Sequence, residues 1–123
     1  MADARFLPET SIKRNQAWTS GNGRIALRLQ EDGNFVLYRD DKSIWQADNV
    51  YPRGFKAEFA MDGNLYVYDD QGGLVWQAID PKSEKYPNYR GTLAVQEDGN
   101  VVIYDPRGVG EPKFAIWATN TGS

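Results

Sequence analysis

Three short stretches, residues 35–38, 65–68 and 101–104, each follow an Asp-Gly-Asn triplet and alternate their character with period two. Period-two alternation sends successive side chains to opposite faces of a strand. One face is apolar in every copy. Phe35 and Leu37, Leu65 and Val67, and Val101 and Ile103 are expected to face a core. The other face offers an Asn, then Val or Tyr, then Tyr. Turn chemistry punctuates the stretches: Asp-Gly lies ahead of each, and Asp40-Asp41, residues 69–73 and residues 105–108 lie after each. Apolar runs carrying Trp45, Trp76 and Trp117 come next. Each unit is therefore expected to hold a strand ending near Gln30 or its equivalent, a tight turn, a strand ending at Tyr38 or its equivalent, a second turn, and a Trp strand. A fourth strand is expected around residues 55–59 and 92–95. Residues 48–54 and 80–91 are expected to be irregular loops. No window of about 11 residues carries a helical apolar stripe, so the fold class is all-β.

The alternation is one part of an internal repeat. Gln30-Glu31-Asp32-Gly33-Asn34-Phe35-Val36-Leu37-Tyr38 recurs as Gln96-Glu97-Asp98-Gly99-Asn100-Val101-Val102-Ile103-Tyr104, with a worn copy, Ala60-Met61-Asp62-Gly63-Asn64-Leu65-Tyr66-Val67-Tyr68, between them. A second echo follows each copy: Ile44-Trp45-Gln46-Ala47, Val75-Trp76-Gln77-Ala78 and Ile116-Trp117-Ala118-Thr119.

Composition removes whole classes of chemistry. The 123 residues fit one domain spanning 1–123 and contain neither histidine nor cysteine. A Ser-His-Asp triad, a cysteine nucleophile, a His or Cys metal site and a disulfide are thereby excluded. Fourteen basic against 17 acidic residues give a net charge of −3, which disfavours nucleic acid and anionic membrane surfaces as partners. No apolar run approaches the roughly 20 residues of a membrane span, so no membrane insertion is expected. The N-terminal residues lack the apolar core of a signal peptide, so the expected location is cytoplasmic, or outside the cell by release without a classical signal.

The polar face is the functional candidate. Gln, Asp, Asn and Tyr are not core residues, yet they recur at fixed offsets. Turn formation accounts equally well for Asp and Asn taken alone, since both favour tight turns. It does not account for Gln and Tyr. Together these groups donate and accept hydrogen bonds beside a small apolar patch, the chemistry that suits a sugar ring. Trp45, Trp76 and Trp117 read better as axial packing than as sugar platforms, and Trp18, outside the repeat, fits either reading. The acid pairs Asp40/Asp41 and Asp69/Asp70 read as solvated turns; a glycosidase needs two carboxylates across a cleft. No catalytic residues and no metal or other cofactor are expected.

The pattern Gln-x-Asp-x-Asn-x-Val-x-Tyr, intact at 30–38 and 96–104 and degraded at 60–68, resembles the signature of the monocot (bulb-type, or B-lectin) mannose-binding lectin family. The resemblance runs from about Ala17 to the end of the chain. It implies a β-prism II: three four-stranded antiparallel sheets around a pseudo-threefold axis. It also implies a non-catalytic function, the binding of mannose or mannose-rich glycans. By that resemblance Gln30 would bond a mannose 3-hydroxyl, Asp32 and Asn34 the axial 2-hydroxyl, and Tyr38 the 4-hydroxyl, with Val36 against the ring carbons. Gln96, Asp98, Asn100, Val102 and Tyr104 would repeat these roles. The middle copy keeps Asp62, Asn64 and Tyr68 but has Ala60 for Gln and Tyr66 for Val, so its site is expected to be weak or silent. The resemblance further implies a homodimer, with exchange of the terminal strand over residues 114–121 as its candidate device. The alternative is a structural or protein-interaction prism that binds no sugar.

Overall fold

The computed structural model describes residues 4–80, 82 and 91–122. Among them are twelve strands in three four-stranded sheets. In chain order they are β1 (Ala4–Phe6), β2 (Thr10–Lys13), β3 (Gln16–Thr19), β4 (Ile25–Leu29), β5 (Phe35–Arg39), β6 (Lys42–Gln46), β7 (Lys56–Phe59), β8 (Leu65–Tyr68), β9 (Leu74–Gln77), β10 (Thr92–Val95), β11 (Val101–Tyr104) and β12 (Ala115–Ala118). A single 3-10 turn, Pro112–Phe114, precedes β12. The sheets run β3-β4-β5-β6, β2-β7-β8-β9 and β1-β10-β11-β12, with every pairing antiparallel. This is the three-sheet prism that the resemblance implied.

The origin of the fourth strands differs from the expectation. Strands do form at 56–59 and 92–95, but β7 and β10 are counterparts of β4, each leading into its own Asp-Gly turn. The fourth strand of each sheet comes instead from the first 19 residues, which place β3, β2 and β1 on the outer edges of β4, β7 and β10. One short segment thus ties all three sheets together. Trp18 of β3 points inward and is buried, and its indole N–H donates to the Thr10 hydroxyl at 3.2 Å across to β2.

The core lies between the sheets. Ile25, Leu27 and Leu29 alternate with half-exposed Ala26 and Arg28, and Phe35, Leu37, Phe59, Leu65, Val67, Leu93, Val95, Val101 and Ile103 complete the apolar interior, all fully buried. Burial of this apolar surface is the main force holding the sheets together, as no covalent link does. Trp45, Trp76 and Trp117 meet at the axis. Their ring centroids are 5.9 Å apart in all three pairings, with interplanar angles of 67–74°. Edge-to-face contacts of this kind are the favoured aromatic geometry. The tryptophans are packing residues.

A register break recurs at one place in every sheet. Leu37 pairs with Trp45 while Tyr38 pairs with Ser43, leaving Ile44 as the extra residue. Val75 and Ile116 are the extra residues in the other two sheets. Strict alternation would put Ile44 and Trp45 on opposite faces. The bulge lets both pack on the core.

Of the two expected irregular loops, residues 48–54 carry Val50 as a fully buried anchor. The other, residues 80–91, lies largely outside the described residues.

Candidate functional site

The nine-residue motif folds as a strand end, a three-residue turn and the start of the next strand. In the first copy Gly33 N–H donates to the Gln30 carbonyl (3.0 Å) and Gln30 N–H to the Asn34 carbonyl (2.8 Å). The same bonds recur around Gly63 and Gly99, with φ of 89°, 83° and 94° at the three glycines. A type I turn followed by a residue at positive φ is a favoured three-residue hairpin, and glycine adopts that φ without strain. The Asp adds its own lock. Asp32, Asp62 and Asp98 each accept the backbone N–H of the Asn two residues on, at 3.0, 2.9 and 2.8 Å. One carboxylate oxygen therefore serves the turn.

The Asn is also structural, most completely in the middle copy. Asn64 is fully buried; its amide donates to the Ile79 carbonyl (2.9 Å) and its oxygen accepts from Ile79 N–H (3.0 Å). Asn100 Oδ1 accepts from Asn120 N–H (3.0 Å) and from the Thr119 hydroxyl (3.1 Å). In both copies the turn is stitched to the segment behind the Trp strand. Asn34 is less committed: its amide donates to Gln46 Oε1 at 2.9 Å, and it stays partly exposed.

The first copy brings its Gln, Asp and Tyr together on an open face. Ala26, Arg28 and Gln30 share the outward side of β4, with Ala26 opposite Tyr38 and Arg28 opposite Val36 on β5. Gln30 Nε2 bridges both Asp32 oxygens at 3.1 and 3.2 Å, and the Tyr38 hydroxyl donates to Gln30 Oε1. Asp32 is exposed, and the three side chains line a depression of about 530 Å³ together with Asn15, Ala26, Arg28, Glu31 and Asp41. Val36 is nearly closed over, at 3% exposure. Four of those five additional lining residues fall outside the nine-residue signature, and Glu31 is one of its variable positions. The signal for two of them was the outward parity of Ala26 and Arg28 with Gln30.

The third copy has the same residues in a different state. Gln96 Nε2 donates to the Tyr104 hydroxyl at 2.6 Å, but Gln96, Val102 and Tyr104 are all buried, and only Asp98 is fully exposed. Loop length accounts for part of this closure. The connections 40–41, 69–73 and 105–114 grow from two to five to ten residues. From the longest, Val109 packs on the Ala94, Val102 and Tyr104 cluster, with Ala115 and Ala118 beside it. In the middle copy the Tyr66 hydroxyl donates to Asp62, and the Tyr66 and Tyr68 rings sit 5.9 Å apart. Burial, then the carboxylates of Glu58 and Asp62, push the Tyr68 phenol above its ordinary range, so it stays neutral.

The acid pairs serve turns. Asp40 and Asp41 both have positive φ (48° and 69°), as a two-residue type I′ hairpin needs, and Arg24 forks onto Asp40. That guanidinium holds the Asp40 carboxyl below the usual carboxylate range. Asp69 Oδ1 accepts from Gln71 N–H (2.9 Å) and Gly73 N–H (2.8 Å). Among the described residues no cluster of three or more acids could hold a metal ion, and no helix is long and apolar enough to cross a membrane.

No protein-family model matches the chain. Sequence comparison finds a mannose-specific lectin of Narcissus pseudonarcissus, 39% identical over 86 residues, which are 70% of this chain and 47% of that protein. The match thus spans about half the length of this relative. Among solved structures, a Marasmius oreades lectin superposes with a TM-score of 0.77 at 30% identity, over 95% of this chain and 90% of its own. The mannose-specific agglutinin of snowdrop (Galanthus nivalis) bulbs, solved with methyl-α-D-mannoside, superposes with a TM-score of 0.67 at 25% identity, over 97% of each chain.

Proposed function

Because this chain belongs to the bulb-type (monocot) mannose-binding lectin family, we propose that it is a single-domain, non-catalytic lectin that recognises mannose or mannose-rich glycans. The observation that carries this reading is the open depression in which Gln30, Asp32 and Tyr38 converge. Their linked donors and acceptors are held before a ligand arrives, which lowers the ordering cost of binding. Asp32 keeps acceptor capacity facing solvent beyond what the turn consumes, and Asn34 has an amide proton left after Gln46. Val36 supplies an apolar backing rather than a broad contact.

The third constellation is the weaker of the two. Its Gln96, Asp98, Asn100, Val102 and Tyr104 have the right chemistry, but sugar must compete with the packing of Val109. The middle copy, with Asp62, Asn64 and Tyr68, is silent, because Tyr66 occupies the face and bonds Asp62. In these two copies the motif serves hairpin structure more than recognition.

Each hydrogen bond to a sugar replaces one to water, a net gain of about 1 kcal/mol, so about four of them give a Kd near 1 mM. Avidity then comes from several sites on one particle. A homodimer that exchanges residues 114–121 would supply them, trading the β11–β12 pairing within the chain for the same pairing between two chains. Retention on a mannan column tests the reading. The parent protein is expected to be retained and eluted by free mannose, Asp32→Ala to lose most retention, and Asp98→Ala to lose less. A parent that flows through overturns it.

A further inference from the structure

The outward face of the middle sheet is rebuilt as well as worn. On the first sheet Ala26 and Ser43 flank Tyr38, and Arg28 lies opposite Val36. On the middle sheet Lys56 and Leu74 flank Tyr68, and Glu58 lies opposite Tyr66. The third sheet has Thr92 and Ala115 about Tyr104, with Ala94 opposite Val102. Lys56, Glu58, Tyr66 and Leu74 are thus matched by no residue of the same type on either other sheet. Beside the 69–73 hairpin this face opens a depression of about 380 Å³, lined by Phe55, Lys56, Glu58, Tyr68, Asp69 and Asp70.

Three polar groups in it lack partners among the described residues. The Tyr38 hydroxyl bonds Gln30 and the Tyr104 hydroxyl bonds Gln96, but Ala60 stands in place of Gln in the middle copy, and the Tyr68 hydroxyl makes no hydrogen bond. Glu58 and Lys56, two residues apart on β7, make no hydrogen bond or ion pair either. Burial, then the carboxylates of Glu58 and Asp62, keep the Tyr68 phenol neutral, so its hydroxyl both donates and accepts. Flat apolar surface comes from Tyr68 and from Phe55, which is 45% exposed. Charge then selects the sign of a ligand. Glu58, Asp69 and Asp70 stand against Lys56 within the depression. Arg14, 5.8 Å over the Phe55 ring, is spent on the Gly54 and Pro52 carbonyls. Carboxylates beside aromatic faces attract an organic cation.

We propose that the outward face of the middle sheet is a separate binding site for an amino sugar, a pyranose ring that carries a free ammonium group. The ammonium meets Glu58, ring hydroxyls meet the Tyr68 hydroxyl and Lys56, and the apolar face of the ring lies on Tyr68 and Phe55. Asp69 and Asp70 add to the field without contact; one Asp69 oxygen is already taken by the turn. The absence of Gln and the presence of Tyr66, which bonds Asp62, remove the mannose chemistry from this unit and leave the rebuilt half of the face for a cationic ring. The site does not depend on the mannose reading of the first sheet.

Magnetic resonance titration of the isotope-labelled full chain at about pH 6, where amine and carboxylate are both charged, tests the proposal. The probes are glucosamine, N-acetylglucosamine and Nα-acetyllysine methylamide. Glucosamine is expected to give saturable shifts centred on Glu58, Tyr66 and Tyr68. Its affinity is expected to exceed that of N-acetylglucosamine, a similar ring without the charge, by about fivefold. Glu58→Gln keeps the shape of the side chain and removes its charge; it is expected to bring the two sugars within about twofold of each other. Phe55→Ala is expected to weaken both by about threefold, through lost apolar contact. Both positions are partly exposed, and an unchanged unfolding midpoint shows that each variant is folded. Equal binding of the two sugars overturns the proposal, as does a Glu58→Gln variant that keeps the fivefold preference. Glucosamine shifts centred on the first hairpin overturn it too. So does tighter binding of the lysine derivative than of glucosamine, which would make the ammonium alone the ligand.

Discussion

Asp and Asn of the motif combine local structure with chemistry while its Gly serves structure alone, and only the fold separates the two. Asp32 gives one oxygen to the Asn34 N–H and keeps acceptor capacity toward Gln30 and solvent. Gly33 has no chemistry of its own. Its φ is +89°, and a Cβ there would lie 2.0 Å from the Pro52 carbonyl oxygen. Gly33→Ala is therefore expected to destabilise the protein by at least about 2 kcal/mol, from left-handed strain and the displaced loop, read as a lower midpoint in urea unfolding. An unchanged midpoint would mean that the 48–54 loop does not bear on the first turn. The signature residues of the first site were legible because they repeat. Asn15 and Arg28 were not, because both precede the nine-residue motif: Arg28 reaches the site by sharing the outward side of β4 with Gln30, and Asn15 only through the β2–β3 turn and the pairing of β3 with β4.

Strands that follow the Asp-Gly turns were legible from period two and turn residues alone. The N-terminal strands were not. β1, β2 and β3 are three or four residues long and lack the repeat's punctuation; β1 and β2 acquire strand form by pairing with residues far along the chain, as Ala4 does with Val95, and β3 by pairing with the neighbouring β4. The bulges beside the tryptophans escaped for a similar reason, since Ile44 and Trp45 side by side contradict simple alternation. The Trp strands make a prediction at this scale. Trp76 touches Phe35, Trp45 and Trp117 but lines no part of the first depression. Trp76→Ala is expected to cost about 3 kcal/mol, lowering Tm by at least about 10 °C, without changing the mannose affinity of the folded fraction. Loss of affinity at a temperature where the variant is folded would make the tryptophan a ligand platform after all.

For the whole molecule, the lack of histidine and cysteine has two consequences. With no disulfide, three sheets, one N-terminal tie and an aromatic axis hold the fold, so a reducing agent should leave Tm unchanged; scanning calorimetry with and without dithiothreitol checks this. With no histidine, the chain lacks the side chain whose ordinary range lies near neutrality, so mannose affinity should be flat from about pH 6 to 9. Titration calorimetry at several pH values reads it directly, and a bell-shaped profile would contradict it. On the acid side stability bends through Asp40. The folded Asp40 carboxyl sits below its unfolded range because Arg24 holds it, so its contribution is present above the ordinary carboxylate range and fades as pH falls through the folded value. Exposure of the pair keeps that contribution small.

The central claim is that the first hairpin, and not merely the fold, binds mannose. Nuclear magnetic resonance of isotope-labelled protein titrated with methyl α-mannoside tests it most directly. The account predicts saturable shifts centred on the Gln30 side-chain amide and the backbone of Asp32 and Tyr38, with a Kd near 1 mM, and their loss in Asp32→Ala with the remaining spectrum intact. Shifts that are absent at tens of millimolar sugar, or that persist unchanged in Asp32→Ala, would contradict it.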